Sequence, residues 1–366
     1  MLFRSPGPGP CGGGGGSGGS VGQIVAGVGD TNADGYDDFV VAGQGSSGSS
    51  GTVYLLRGPQ TGTVTVSSSA YSTWNGSSSE LAEDAAPAGD VNGDGTQDLF
   101  IGAEAWSGNT GAVYLLTSYS AGTQTTSSVA AATLTGESGG DYLTATGGHG
   151  DLDGDGYDDI VAGAYGDDDA GTDAGAVYIV LGPVSGTVAA SSADGKILGE
   201  ASGDNAGELT AVGDLDGDGY DDVVVVAQDA GFYGVTYVLA GPFSTSWSLA
   251  TPEAEITTAR AIGPTSVSAD GDVDPDGQDD LLLGFAADTA SGTYAGTGVL
   301  FHGPVTGTWT MDDADWAITG TAASQWVGQS VSFVGSQDGS TGDDVLLGAP
   351  YETPYGAAYL FYGDQI

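Results

Sequence analysis

An all-β fold made of repeated blades, a β-propeller, is what this sequence predicts, and three observations predict it. The first is composition: 68 of 366 residues are glycine and only 4 are Lys or Arg, which leaves poor material for long helices. The second is a repeat. An acidic loop followed by an apolar run starts at Asp30, Asp90, Asp151, Asp214 and Asp272, about sixty residues apart each time. A worn sixth copy occupies residues 336–344. The third is the pattern between the loops, where short strands bounded by Gly, Ser and Asp recur with a tyrosine marker.

Each of the six units reads as four strands. An apolar stretch such as 209–212 leads into the loop, and a Val/Ile-rich strand leaves it. The third strand is Thr52–Leu56, Ala112–Leu116, Ala176–Val180 or Ala357–Phe361, and a weaker fourth follows, as at 132–136 and 196–199. Such a blade cannot bury both of its faces alone, so stacked neighbours must supply the core. Residues 1–20, MLFRSPGPGPCGGGGGSGGS, read as a flexible Gly/Pro-rich tail ahead of a propeller over 21–366. The tail has no apolar segment of the signal-peptide kind. Cys11, ahead of a Gly/Ser tether, looks like the start of a mature lipoprotein, but Pro8-Gly9-Pro10 is not the cleavage pattern that would need. Ser17 sits in a G-x-S-x-G match without the strand and helix of a nucleophile elbow. A single cysteine excludes an internal disulfide, so something else must staple the fold.

The charge balance narrows function. With 49 acids against 4 bases the net charge is −45. Nucleic-acid binding needs Lys and Arg to displace counterions, so nucleic acid is excluded as a partner, and the lack of basic patches argues against docking on anionic membrane surfaces. No run of 18 apolar residues provides a membrane span.

The acids follow a pattern that points to calcium, a hard cation that takes six to eight oxygens. Numbering each loop from its first aspartate, side-chain oxygens fall at positions one, three, five and nine and a backbone carbonyl at seven. These are Asp30, Asn32, Asp34, Tyr36 and Asp38; Asp90, Asn92, Asp94, Thr96 and Asp98; Asp151, Asp153, Asp155, Tyr157 and Asp159. The fourth and fifth sets are Asp214, Asp216, Asp218, Tyr220 and Asp222, then Asp272, Asp274, Asp276, Gln278 and Asp280. An EF-hand would need a bidentate acid at position twelve. Position twelve is Val41, Ile101, Ala162, Val225 or Leu283, inside a strand, so the loops belong to β-hairpins. Turn chemistry alone accounts for one Asp-Gly cluster, not five alike. About five Ca²⁺ sites are expected. Pro275 at position four is expected to shift the fifth loop, and Ser336, Asp338, Ser340 and Asp344 leave the sixth too poor in carboxylates. The position-eight acids Asp37, Asp158, Asp221 and Asp279 are expected to be solvated.

These loops, with exits such as Gly348-Ala349-Pro350, Gly163-Ala164-Tyr165 and Gly102-Ala103-Glu104 and the opening Val327-Gly328, resemble the FG-GAP repeat of integrin α-subunit propellers and their bacterial relatives. The resemblance implies FG-GAP-type blades. Integrin-type propellers usually have seven, and this sequence supplies six, so either the ring closes on a three-stranded blade or an upstream piece completes it.

No catalytic constellation stands out. His149 and His302 have no His or Cys partner at metal-ligand spacing and read as surface or packing residues. Glu137, Glu200 and Glu208 lie where an active site of a polysaccharide-acting enzyme could sit. The leading expectation is not an enzyme but an extracellular or cell-surface, adhesion-type module that binds a protein or a glycan. A calcium-rigidified spacer is the alternative. The ligand face is expected opposite the calcium loops, around Trp106, Tyr165, Tyr233, Tyr294 and Tyr351, because exposed aromatics suit hot spots and sugar stacking.

Overall fold

A computed structural model describes residues 24–32, 34–43, 51–60, 64–76, 84–144, 149–245, 247–258, 263–336, 339–352 and 356–366. The tail with Cys11 and Ser17, and Asp338 of the sixth loop, lie outside the described residues. The chain is all-β, and its six small sheets are the blades of a six-bladed β-propeller. It divides into two compact units. One comprises 1–149, 155–164 and 178–195, the other 150–154, 165–177 and 196–366, so the division passes through the third repeat.

In the first unit, one sheet runs Ile24–Gly27, Phe39–Gly43, Thr52–Leu56 and Ser72–Asn75, all antiparallel. The next runs Asp84–Gly89, Asp98–Ala103, Ala112–Leu116 and Ala132–Thr135. Every residue of Asp98–Ala103 and of Ala112–Leu116 is buried. Burial of both strand faces is why these segments read as unbroken Leu, Ile and Val runs rather than alternating ones. Trp74, fully buried, joins Leu55, Leu99, Ile101 and Leu116 in one core cluster.

The second unit repeats the plan. Ala206–Gly213, Asp222–Ala227, Val235–Leu239 and Ala254–Thr257 make one antiparallel sheet. Ser266–Gly271, Asp280–Phe285, Thr297–Phe301 and Trp316–Thr319 make another, and Ser330–Phe333, Val345–Ala349 and Ala357–Phe361 form a three-stranded sheet. The third blade's sheet is His149–Gly150, Asp159–Ala164, Ala176–Val180 and Gly195–Leu198.

Four strands per blade is an undercount in three of the six. Gly122–Thr125, Gly186–Ala189 and Gly307–Thr310 each pair in parallel with the fourth strand of the preceding blade. Each begins at a glycine with φ of 102°, 75° or 86° and runs straight into a short helical turn. These edge strands expose most of their residues and are rich in Thr. They cover an edge that would otherwise offer unpaired N–H and C=O groups.

Candidate metal centres

The acidic loops connect first to second strands, and a common set of hydrogen bonds shapes them. The position-one carboxylate accepts backbone N–H groups from positions five and six: Asp34 and Gly35 donate to Asp30, Asp94 and Gly95 to Asp90, Asp218 and Gly219 to Asp214, Asp276 and Gly277 to Asp272. The position-seven N–H donates to the position-five carboxylate in all five loops. The position-six glycines stand at φ between 83° and 92° with open space where a Cβ would be, so backbone conformation alone selects glycine there.

Position nine has a second duty. Asp38, Asp98, Asp159, Asp222, Asp280 and Asp344 are all buried. Five of them accept the N–H of the glycine just beyond the third strand: Gly58, Gly182, Gly241, Gly303 and Gly363, at 2.7–3.0 Å. Asp222 and Asp280 also accept N–H groups from Leu215 and Val273. The position-three amides of Asn32 and Asn92 donate to Asp38 and Asp98. Burial, then the charges of Asp94 and Asp90, push Asp98 up to about 7. Burial, then chiefly the Asp216 and Asp214 charges, does the same to Asp222. With 4 Lys and Arg in the whole chain, side chains cannot supply the missing positive charge.

The position-eight acids are not solvated as expected, except Asp37, which is exposed. Asp158, Asp221 and Asp279 are half-buried, and each reaches back to the preceding loop, accepting the N–H of Asp90, Asp151 and Asp214 at 2.5, 2.8 and 2.9 Å. Asp343 does the same for Asp272. Burial raises Asp279 to about 6. Successive loops are thus clamped together by the acids beside the candidate ligands.

Position seven adds a steric clamp. A Cβ on Gly93 would meet the Tyr157 ring at 2.4 Å, one on Gly154 the Tyr220 ring at 2.5 Å, and one on Gly217 the Gln278 stem at 2.7 Å. Position four must therefore be bare wherever the next loop brings a large residue. Pro275 breaks this rule in the one loop whose successor has glycine, Gly342, at position seven. The fifth loop keeps the hydrogen bonds of positions five to seven, but the expected shift appears at position four. There the proline lacks the N–H that Gly154 and Gly217 donate to Asp151 and Asp214, and it departs from the φ of 72–78° of Gly93, Gly154 and Gly217. The proline itself stands at φ 23°, outside the range its ring prefers. Pro275→Gly should relieve this strain and raise the urea midpoint, by about 1 kcal/mol in stability; an unchanged or lower midpoint would show that the proline is at ease.

Carboxylate oxygens that could hold a metal ion converge. Those of Asp214, Asp216 and Asp218 lie within 4.8 Å of one another, as do those of Asp272, Asp274 and Asp276. Asp274 and Asp280 also form such a group with His302. The imidazole therefore is not the isolated packing residue its sequence neighbours suggest. In the sixth loop the Ser336 and Ser340 hydroxyls are 3.4 Å apart, and the position-nine Asp344 is buried.

Of the aromatic residues expected to form a ligand face, Tyr233, Tyr294 and Tyr351 are 41–47% exposed. Trp106 is half-buried and packs on the core of the first unit; Tyr165 is also half-buried. Trp326, which sequence reasoning passed over, links two of them, its ring centroid 5.3 Å from both Tyr294 and Tyr351. Glu137 and Glu200 accept the hydroxyls of Tyr178 and Tyr237 at 3.1 and 2.8 Å.

Acidic loops of one wiring, each inside the first hairpin of a small antiparallel blade and three of them gathering carboxylates that could hold a metal ion, define the class: a β-propeller of acidic-loop repeats. Family models place it further. An FG-GAP-like repeat matches residues 30–101, and the FG-GAP repeat matches residues 144–180 and 206–239. Over these stretches the β-propeller carries FG-GAP repeats. No curated protein gives a significant match to it. Among the described residues no helix is long and apolar enough to cross a membrane.

Proposed function

We propose that this chain is a calcium-stabilised extracellular or cell-surface module that binds a protein or a glycan and is not an enzyme. The observation that carries the calcium part is the convergence of three carboxylates in each of two successive loops, with a buried fourth at position nine. An all-oxygen set with a flexible backbone suits calcium better than magnesium, which demands a tight octahedron. The residues at positions one, three, five, seven and nine of the first five loops would hold it. Asn32 and Asn92 would turn their amide oxygens inward. Bound calcium supplies the positive charge that the clustered carboxylates lack. Loops of this type fill at the high calcium of extracellular space, which supports that location.

The binding part rests on Tyr294, Trp326 and Tyr351. Tyr294 and Trp326 stand at φ 55° and 59°, joined by a Trp326 N–H to Tyr294 C=O hydrogen bond of 3.1 Å. The same backbone pairing recurs as Asp173 with Asn205, residue types that tolerate positive φ. Large rings at such positions cost backbone energy, and the Tyr294 ring is 44% exposed, which favours a surface task. Glu137 and Glu200 are engaged by tyrosine hydroxyls, which weakens the enzyme reading.

The test is a glycan array and a pull-down from surface fractions. Tyr294→Ala and Tyr351→Ala should each reduce capture at least tenfold while Tm and calcium stoichiometry stay put. A chain that retains nothing specific, or variants that bind as well as the parent, would leave the rigid-spacer reading, which the loop-to-loop clamps also fit.

A further inference from the structure

From the position of His302 we infer that the fifth loop is a mixed nitrogen–oxygen site selective for a borderline transition metal of the zinc class, unlike the oxygen-only loops around it. The inference rests on the reading that the loops hold cations and changes which cation this one takes. His302 follows the third strand Thr297–Phe301, immediately before Gly303, whose N–H binds Asp280. The corresponding residues before Gly58, Gly182 and Gly241 are Arg57, Leu181 and Ala240, none of them a nitrogen ligand for a metal.

His302 Nδ1 lies 3.3 Å from Asp280 Oδ1, 3.4 Å from Asp280 Oδ2 and 3.9 Å from Asp274 Oδ2. That is not the geometry of one settled hydrogen bond, in which the nitrogen would approach a single oxygen at about 2.8 Å. Both Asp280 oxygens are already engaged, Oδ1 by the Gly303 N–H at 3.0 Å and Oδ2 by the Val273 N–H at 2.8 Å. Ligands bonded to zinc at about 2.0–2.1 Å in a tetrahedron stand about 3.3–3.4 Å from one another. The His302-to-Asp280 spacing matches that of two ligands sharing such an ion, and Asp274, exposed and 3.9 Å away, would close in by about half an ångström. Asp280 is wholly buried, Asp274 is exposed and His302 is partly exposed, so the set has a fixed floor and an open mouth.

Ligand chemistry sets the selectivity. Calcium takes oxygen donors in sixes to eights, and replacing one with imidazole weakens it. Zinc and its neighbours bind imidazole well and are content with four ligands. Asp274, Asp280 and His302 supply three, and a water can take the fourth position, as in open zinc sites.

The chain has 2 histidines, so proton NMR of the imidazole C–H signals reads the site directly, with His149→Gln and His302→Gln assigning the pair. Zinc chloride is titrated into the full chain in excess calcium, alongside calorimetry with calcium alone and with zinc. One equivalent of zinc should shift the His302 signals and leave His149 in place, and His302→Gln should lose the zinc isotherm while keeping calcium heats. Asp274→Asn should weaken zinc with His302 still present, which guards against a His302 variant that fails to fold. If zinc leaves His302 unmoved, or moves both histidines alike, the inference is overturned although calcium still binds. If zinc shifts His302 while no loop takes up calcium, the calcium reading falls and this one stands.

Discussion

If the loops hold calcium as proposed, stripping it should lower the melting temperature by roughly 10–20 °C, and the stripped protein should be less stable at pH 8 than at pH 5. A loop filled at a hundredfold excess over its Kd adds about 2.7 kcal/mol, and the four oxygen-only loops together correspond to a shift of that order for a chain of this size. The pH dependence follows from the buried carboxylates. Burial pushes Asp98 and Asp222 in the folded chain up to about 7 and Asp279 to about 6, against the ordinary aspartate value of 3.8. An acid whose folded value is raised binds more protons folded than unfolded between about 4 and 7, so stability falls as pH climbs through that window. Calcium reverses the order, because ligation holds Asp98 and Asp222 ionised and protons then compete with the metal. Calorimetric scans of resin-stripped and calcium-loaded protein at the two pH values check both statements. Equal Tm with and without calcium would remove the metal's stapling role; a stripped protein that gains stability toward pH 8 would overturn the electrostatic account.

What could be read from the sequence is what the chain does within one repeat. Alternate loop positions, the exit strands and the tyrosine-marked third strands lie in a few consecutive residues, and periodicity exposes them. The misses all bridge long separations. Asp158 contacts Asp90 and Asp221 contacts Asp151, about seventy residues back, and nothing around either acid marks it as engaged rather than solvated. His302 meets Asp280 only because the second and third strands are paired, Leu281 opposite Phe301. The edge strands at Gly122–Thr125, Gly186–Ala189 and Gly307–Thr310 hide because Thr-rich exposed segments carry no hydrophobic period. What makes room for Pro275 is its neighbour in space, Gly342, which belongs to the next repeat. Repeat arrays place their one-dimensional couplings between units, where a single unit's pattern cannot announce them.

Asp222→Ala destabilises the protein even without calcium, whereas Asp218→Ala matters only when calcium is present. Both remove a candidate calcium oxygen, but they differ in what they orphan. Asp222 is wholly buried and accepts the Gly241 N–H at 2.7 Å and the Leu215 N–H at 2.9 Å, tying the third strand's exit to the loop. Alanine leaves both donors unpaired, at about 1–3 kcal/mol each. Release of a buried charge returns part of this, so a net loss of about 2–4 kcal/mol is expected in stripped protein. Asp218 is exposed and accepts only the Tyr220 N–H at 2.9 Å, where water can take over. Its alanine variant should melt within a degree or two of the parent when stripped, and should then gain less from added calcium. Asp222→Asn keeps one acceptor and discards the charge, so in stripped protein at pH 8 it should fall between the parent and Asp222→Ala. Urea unfolding of the three variants with and without calcium makes the comparison. If Asp222→Ala and Asp218→Ala cost the same in the stripped state, position nine is a ligand only, and its link to the glycine beyond the third strand carries no stability of its own.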